Sequence, residues 1–194
     1  MVKKSHGNMM VGHTKLSRLV SLSFFVLSAN ACNANSFAIE DEFTDREVEL
    51  IHKAIDEWIE ATDSDGAVIF TREGYSAGHK FDYFKDWLGG PEYPVLHKMR
   101  SNDPGYNPLK ISVGYDYAGA ARERWRIAIV EDYIDSEDEF YHVILHEIGH
   151  FYGIEHQADG LMARSSYHTC IDVVALGAFC DIYSCGRNRH VTCE

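Results

Sequence analysis

Apolar residues recur at helical spacing in three segments of the chain. In the first segment, Thr44 and Glu47 form a capping box, which marks the start of a helix. The second segment starts at Ser136, with Glu139 in the matching capping position, and continues through YHVILHEIGHFY. The third, IDVVALGAFCDIY, predicts a helix near the C-terminus. The apolar stripe of the first helix comprises Val48, Ile51, Ile55, Trp58, Ile59 and Thr62.

Short apolar runs between turn residues predict strands. AVIFT (67–71) follows the first helix, and KISVGYDY (110–117) and RWRIAIVED (124–132) flank an Ala-Gly-Ala-Ala turn region. Residues 74–108 are rich in glycine, proline and aromatic residues and show no regular period. This order of elements predicts an α+β fold, in which a mixed twisted sheet packs on helices.

The N-terminus has the composition of an export signal. Basic residues precede LVSLSFFVLSA, an apolar run too short to span a bilayer, and residues 29–31 (Ala-Asn-Ala) resemble a cleavage site. We therefore predict a signal peptide at 1–31 and a single exported domain at 32–194. Cys32 follows the cleavage point directly, which also allows a lipid anchor, although Ala29 stands where lipoprotein signals usually have leucine.

The net charge of the chain limits the classes of partner that it can bind. The formal net charge is −12, and an acidic surface repels phosphate backbones, which excludes nucleic acid as a partner. No further apolar run is long enough to predict a transmembrane helix in the mature chain. We expect a freely diffusing monomer.

Four cysteines lie within the last 25 residues. In an oxidising compartment they predict two disulfides among Cys170, Cys180, Cys185 and Cys193, with the pairing left open. A bridge from Cys193 back to the helix region would anchor a tail that has few apolar residues. A cysteine-rich zinc knuckle is the rival reading, but no cysteine pair has the tight spacing of structural zinc sites.

The sequence HEIGHFYGIEH, residues 146–156, carries the candidate chemistry. On a helix, His146 and His150 lie one turn apart on the same face and can bind one zinc ion. Glu147 would stand beside the metal and take a proton from a bound water. Gly153 can adopt a left-handed conformation that ends the helix, so that His156 returns as the third ligand. Three protein ligands leave the fourth position open, as in catalytic zinc sites.

Two neighbouring features are weaker metal candidates. His142 continues the histidine face, but one ion cannot span three helical turns, so we predict that it lies outside the ligand set. An acidic run could hold calcium, yet it lacks the alternation of a calcium loop and suits a solvated helix start, so calcium is not supported. The run comprises Glu131, Asp132, Asp135, Glu137, Asp138 and Glu139.

The eleven residues resemble the HExxHxxGxxH signature of the metzincin zinc peptidases, and Met162 follows in the window of the family's Met-turn. The layout of residues 40–185 is similar to a short matrixin-type catalytic domain. The resemblance implies a zincin fold with an active-site helix and a C-terminal helix. It also implies one catalytic Zn²⁺ and cleavage of a protein or peptide substrate, with Glu147 as general base and Met162 beneath the histidines.

The chain also departs from the family. No cysteine-switch segment and no second zinc ligand set is found, and Arg164 stands where some members have tyrosine two residues after the methionine. Two alternatives remain open: zinc hydrolysis of a non-peptide bond, and a non-catalytic secreted zinc-binding module. The module predicts a closed site whose fourth ligand is Glu155, Asp159 or a C-terminal cysteine.

Overall fold

The structure, a computed structural model, describes residues 38–63, 95–113, 117–122, 126–165 and 167–193. The predicted signal peptide, the AVIFT strand and much of the irregular segment lie outside these residues. No helix in the described part of the chain has the length and apolarity needed to cross a membrane. The elements are β1 (Ala38–Ile39), α1 (Asp45–Thr62), β2 (Val95–Met99), α2 (Tyr106–Val113), β3 (Gly119–Arg122), β4 (Arg126–Val130), a 3-10 turn (Glu131–Tyr133), α3 (Glu137–Phe151) and α4 (Val173–Ile182).

The strands form a mixed sheet in the order β1-β2-β4-β3. β1 and β4 both run parallel to β2, and β3 runs antiparallel to β4. β3 is therefore the outer strand on one side of the described sheet. The mixed sheet with its helices confirms the predicted α+β class.

Each face of the sheet contributes to a separate core. Leu96, Ile127 and Ile129 face the helices α1, α3 and α4 and join the larger apolar cluster. Met99 and the alternate residues of β4 face the other way and pack with Tyr106 and Leu109 of α2. This alternation follows from the two-residue period of a strand.

Trp58 joins α1 to the C-terminal half of α3. α1 begins at the predicted capping box, in which Thr44 and Glu47 each accept a hydrogen bond from the other's backbone. Trp58 is fully buried, and its indole N–H donates to the Leu145 carbonyl at 3.0 Å. Its ring also packs against Tyr152, with ring centroids 5.7 Å apart. The helix that carries HEIGH is thus fixed from behind by a large apolar side chain.

Two of the predictions made around residues 110–121 are wrong. Residues 110–113, predicted as part of a strand, form the second half of α2, and the Ala-Gly-Ala-Ala turn region is mostly strand β3. Pro108 lies in the first turn of α2, where its missing N–H costs no helical hydrogen bond. The prediction of a strand in RWRIAIVED is confirmed by β4, every residue of which is buried.

Two disulfides close the C-terminal region, as predicted. Cys170 pairs with Cys193 across 23 residues, and Cys180 pairs with Cys185 across 5 residues. The tail between them lies on the end of α1, where the Gly186 amide donates to the Thr62 carbonyl at 3.0 Å. Backbone hydrogen bonds and a bridge therefore anchor a segment that has little apolar surface to bury.

Candidate metal centre

Helix α3 presents two of the three predicted ligands. The Ser136 hydroxyl caps the helix by accepting from the Glu139 amide at 3.2 Å. In the predicted capping box the Glu139 carboxylate would accept from the amide of Ser136. It accepts instead from the amide of Asp135, one residue earlier. His146 and His150 lie one turn apart, with their Nε2 atoms 3.0 Å from each other.

Gly153 turns the chain back toward the helix, as predicted. Its φ of 87° lies in the left-handed region, which a residue without a Cβ adopts readily. The Gly153 amide donates to the His150 carbonyl at 2.9 Å and the Ile154 amide donates to the Gly149 carbonyl at 3.0 Å, the paired bonds of a Schellman motif. His156 then arrives from the loop, with its Nε2 atom 3.1 Å from that of His150.

Backbone carbonyls orient the first two histidines. The Nδ1 atom of His146 bonds to the Leu161 carbonyl and that of His150 bonds to the Ile154 carbonyl, both at 2.7 Å. Since a carbonyl only accepts, each Nδ1 carries the proton and each Nε2 keeps a free lone pair. Burial lowers the pKa of all three histidines, and burial together with the repulsion that a second proton on the His146–His150 pair would meet lowers that of His146 to about 3. These shifts favour the neutral imidazole, which is the state that binds metals.

A turn at Leu161 and Met162 contacts the helix that carries the first two ligands. Met162 is fully buried, and a Cβ added to Gly149 would lie 2.4 Å from its Sδ, so the two residues are in direct contact. The Leu161 carbonyl holds His146, while its amide donates to the carboxylate of Asp172, the N-cap of α4. Met162 therefore packs against Gly149 of the ligand helix, and the adjacent Leu161 connects His146 to the C-terminal helix.

Glu147 is buried beside the histidines. Its Oε2 atom has no hydrogen-bond partner among the described residues, and burial raises the pKa of its carboxyl from 4.5 to about 8. Strand β3 approaches it closely, because a Cβ on Gly119 would lie 2.7 Å from the Glu147 Cγ. A buried carboxyl oxygen without a partner needs a ligand, a water or an ion to satisfy it.

Two adjoining cavities form a groove that passes the histidines. They measure about 270 and 400 Å³, and both are lined by Tyr117, Gly119, Glu147 and His156. The smaller cavity continues along β3 to the Gly153 turn. The larger one continues along the start of α3 to Arg164 and Tyr167, so the groove extends to both sides of the site.

The donor set fits a metal ion. Ligand nitrogens at the 2.0–2.1 Å distance of a tetrahedral zinc lie roughly 3.3 Å from each other, close to the Nε2 separations here. Among the described residues, His146, His150 and His156 form this group without a carboxylate or thiolate. Glu155 and Asp159 are exposed and lie outside it, and all four C-terminal cysteines are in disulfides. The group can therefore bind an ion and leave a position for another ligand.

His142 lies outside the ligand group, next to His146. Its Nδ1 atom bonds to the His168 carbonyl at 2.6 Å, and its ring centroid is 5.9 Å from that of His146. His168 also lies near the sulfurs of Cys170 and Cys193, but those sulfurs are bonded to each other. His142 thus lines the groove as a neighbour of the ligands.

The acidic run before α3 is divided among separate partners. Glu131 forms ion pairs with Lys98 and Arg100, and Asp132 accepts from the Ser101 amide at 2.6 Å. Glu137 pairs with Arg46 at 2.9 Å, and Glu139 accepts from the helix start, as described above. These carboxylates stabilise local contacts of the helix start and the 3-10 turn.

Two groove residues were missed by the sequence-based predictions. Gly119 and Tyr117 line both cavities, yet their segment was read as a strand end and a turn. The small residues at 118–121 were the available signal, because only small side chains let a strand approach a helix this closely.

No known protein family, curated protein or solved structure matches the chain. The geometry of the site is therefore the evidence for its function.

Proposed function

We propose that this chain is an exported zinc-dependent endopeptidase with a metzincin-type site. One observation carries the proposal: Glu147, buried with its Oε2 atom unpartnered among the described residues, lies beside a three-histidine group and lines two adjoining cavities. This arrangement provides a metal with a free position, an acid that can move a proton and space for a chain. The proposal extends to the zincin fold, the choice of zinc and export, for which the two disulfides are a compatible feature.

His146, His150 and His156 would hold the ion through their Nε2 atoms. Bound zinc supplies Lewis acidity, which polarises a substrate carbonyl and lowers the pKa of a bound water. The carbonyls of Leu161 and Ile154 keep the first two rings oriented and increase the basicity of the ligand nitrogens. Met162, buried against Gly149, would support the helix that carries His146 and His150.

Glu147 would act as the proton carrier of the reaction. Burial raises the pKa of its carboxyl in the metal-free chain, so its carboxylate holds a proton more strongly than that of an exposed glutamate. It would accept a proton from the attacking water at Oε2 and return it to the nitrogen of the leaving amine. In the protonated state the same oxygen can donate a hydrogen bond, so one residue serves both steps.

The substrate would lie extended along β3. This strand is at the edge of the described sheet, and its first residues line the groove. An extended peptide can add to such an edge through main-chain hydrogen bonds. Since the groove extends to both sides of the histidines, it suits the interior of a long chain. This supports a peptide bond over a small non-peptide substrate.

The non-catalytic zinc-binding module is less well supported. It requires a fourth protein ligand, and the donor group in the described residues consists of the three histidines. A buried glutamate at position 147 would also have no use in a module that only binds.

The test compares the mature wild-type protein with Glu147→Ala. We expect both proteins to bind close to one zinc per chain by elemental analysis, while the variant loses nearly all cleavage of an unfolded protein substrate. Asp159→Ala, which removes an exposed carboxylate outside both cavities, is the matched control and should cleave like wild type. Unchanged cleavage by Glu147→Ala would refute the role of the glutamate, and no cleavage by zinc-loaded wild type would favour the binding module.

A further inference from the structure

The larger cavity of the groove has one wall rich in hydrogen-bond donors. Arg164, Ser165 and Tyr167 line it from the segment that follows the Met162 turn. All three are exposed, so they can reach a molecule in the cavity. Burial and nearby acidic residues raise the pKa of Tyr167, which keeps its hydroxyl protonated as a donor.

Arg164 places a permanent positive charge near the metal ligands. The same cavity is lined by His146, Glu147 and His156, so the guanidinium shares the space next to the proposed reaction centre. Its charge contributes to the lowered pKa of His150 and His156, after the larger effect of burial. A guanidinium offers several N–H donors in a planar fork that matches a carboxylate.

Glu147 is the acidic residue of this cavity that lies beside the histidines, and its carboxyl is buried. Glu139 also lines the space, but its carboxylate is bonded to the Asp135 amide at the start of α3. At 1.5 Å per residue, Glu139 is roughly 10 Å along the helix axis from His146. Glu155 acts on the pKa of His150 and His156 in the opposite sense from the smaller cavity. Arg164 is thus the arginine that supplies a positive charge to the larger cavity of a chain that is acidic as a whole.

We propose that Arg164 is a specificity-determining residue that binds a substrate carboxylate in the larger cavity, next to the scissile bond. The carboxylate would belong to an aspartate or glutamate side chain or to the C-terminus of the substrate, and both present the same planar group to the guanidinium. The inference rests on the proposed peptidase function and specifies its substrate class.

The experiment uses zinc-loaded protein and two matched sets of peptides. One set differs by Glu or Gln beside the cleaved bond, and the other differs by a free or an amidated C-terminus. We expect wild type to prefer the carboxylate member of one set by about tenfold in kcat/KM, the size of one charge-assisted hydrogen bond at an open site. Arg164→Ala should remove this preference and leave the neutral peptides within about twofold. Arg187→Ala, which removes an exposed arginine of the C-terminal tail, should keep it.

A binding measurement makes the inference testable apart from catalysis. Peptide affinity for zinc-loaded Glu147→Ala should show the same carboxylate preference, and adding Arg164→Ala should remove it. The set that shows the preference identifies the source of the carboxylate. Equal affinities for both members of both sets, or an equal loss of kcat on every peptide in Arg164→Ala, would overturn the inference. If wild type binds with the preference but cleaves nothing, the proposed function fails and the carboxylate site stands.

Discussion

Replacing Glu147 by glutamine should stabilise the metal-free protein, and the gain should depend on pH. The folded chain holds this carboxyl protonated up to a pKa of about 8, whereas an exposed glutamate ionises near 4.5. Between these values the unfolded state binds fewer protons than the folded state, so wild-type stability falls as the pH rises. The slope is about 1.4 kcal/mol per pH unit, which gives a total of about 5 kcal/mol above pH 8. Glutamine has the same shape and carries no charge to bury.

Urea unfolding of both metal-free proteins at pH 5, 7 and 8.5 measures this difference. At pH 5 the two should unfold at nearly the same urea concentration. At pH 8.5 the variant should be more stable by several kcal/mol. His146 and the other histidines titrate in both proteins, so their contributions cancel in the comparison. Zinc should shrink the gap, because two positive charges next to the carboxylate favour its ionised form.

A stability difference that is constant from pH 5 to pH 8.5 would show that the folded protein solvates the Glu147 carboxylate well. Glu147 would then not be a strong buried base, even if the variant were inactive. A difference that appears only with zinc present would place the effect in the metal complex instead of in burial.

Three further predictions address the support of the site. Gly149→Ala should displace Met162, which should cost about 1–3 kcal/mol in thermal unfolding and weaken zinc binding. The control is Gly177→Ala in α4, where an added Cβ meets nothing within 4 Å, and it should stabilise the protein by up to about 1 kcal/mol. Cys193→Ser should cost about 3 kcal/mol and Cys185→Ser about 2 kcal/mol, because the longer loop restricts the unfolded chain more; equal losses by urea unfolding would contradict the loop-length argument. The metal-free protein should lose stability as the pH falls from 6.5 toward 3, because the unfolded chain takes up a proton that His146 excludes in the folded chain. Acid unfolding followed by circular dichroism should show a weaker dependence of stability on pH for His146→Gln than for wild type.

The sequence was most informative where one residue type meets one local requirement. Gly153 is an example, because a left-handed turn after a helix strongly favours glycine, and the spacing to His156 then follows. The capping box of α1 and the apolar period of α3 are equally local. The position of the three histidine nitrogens could be predicted from these features alone.

The region of β3 could not be predicted in the same way. Alanine and glycine have low strand propensity, and the segment becomes a strand because it pairs with β4 and packs on α3. In the same way, the β-branched residues 111 and 113 suggested a strand, while the helix α2 forms in a context that includes buried Leu109. Contacts between distant parts of the chain decided both segments. For this reason the sequence predicted the histidine group at the centre of the groove but did not predict the wall that contains Tyr117 and Gly119.

The use of main-chain carbonyls to orient His146 and His150 has a consequence for how the site tolerates mutation. Every residue carries a carbonyl, so substitutions at 154 and 161 cannot delete the acceptors themselves. Both side chains are buried, so apolar replacements that keep the path of the backbone should preserve ligand geometry, whereas polar ones should fail through packing. A randomised library at these two positions, selected for zinc retention, should therefore return a range of aliphatic residues. The orientation of the ligand rings would then depend on the path of the backbone, and the residues at 154 and 161 could vary among aliphatic side chains.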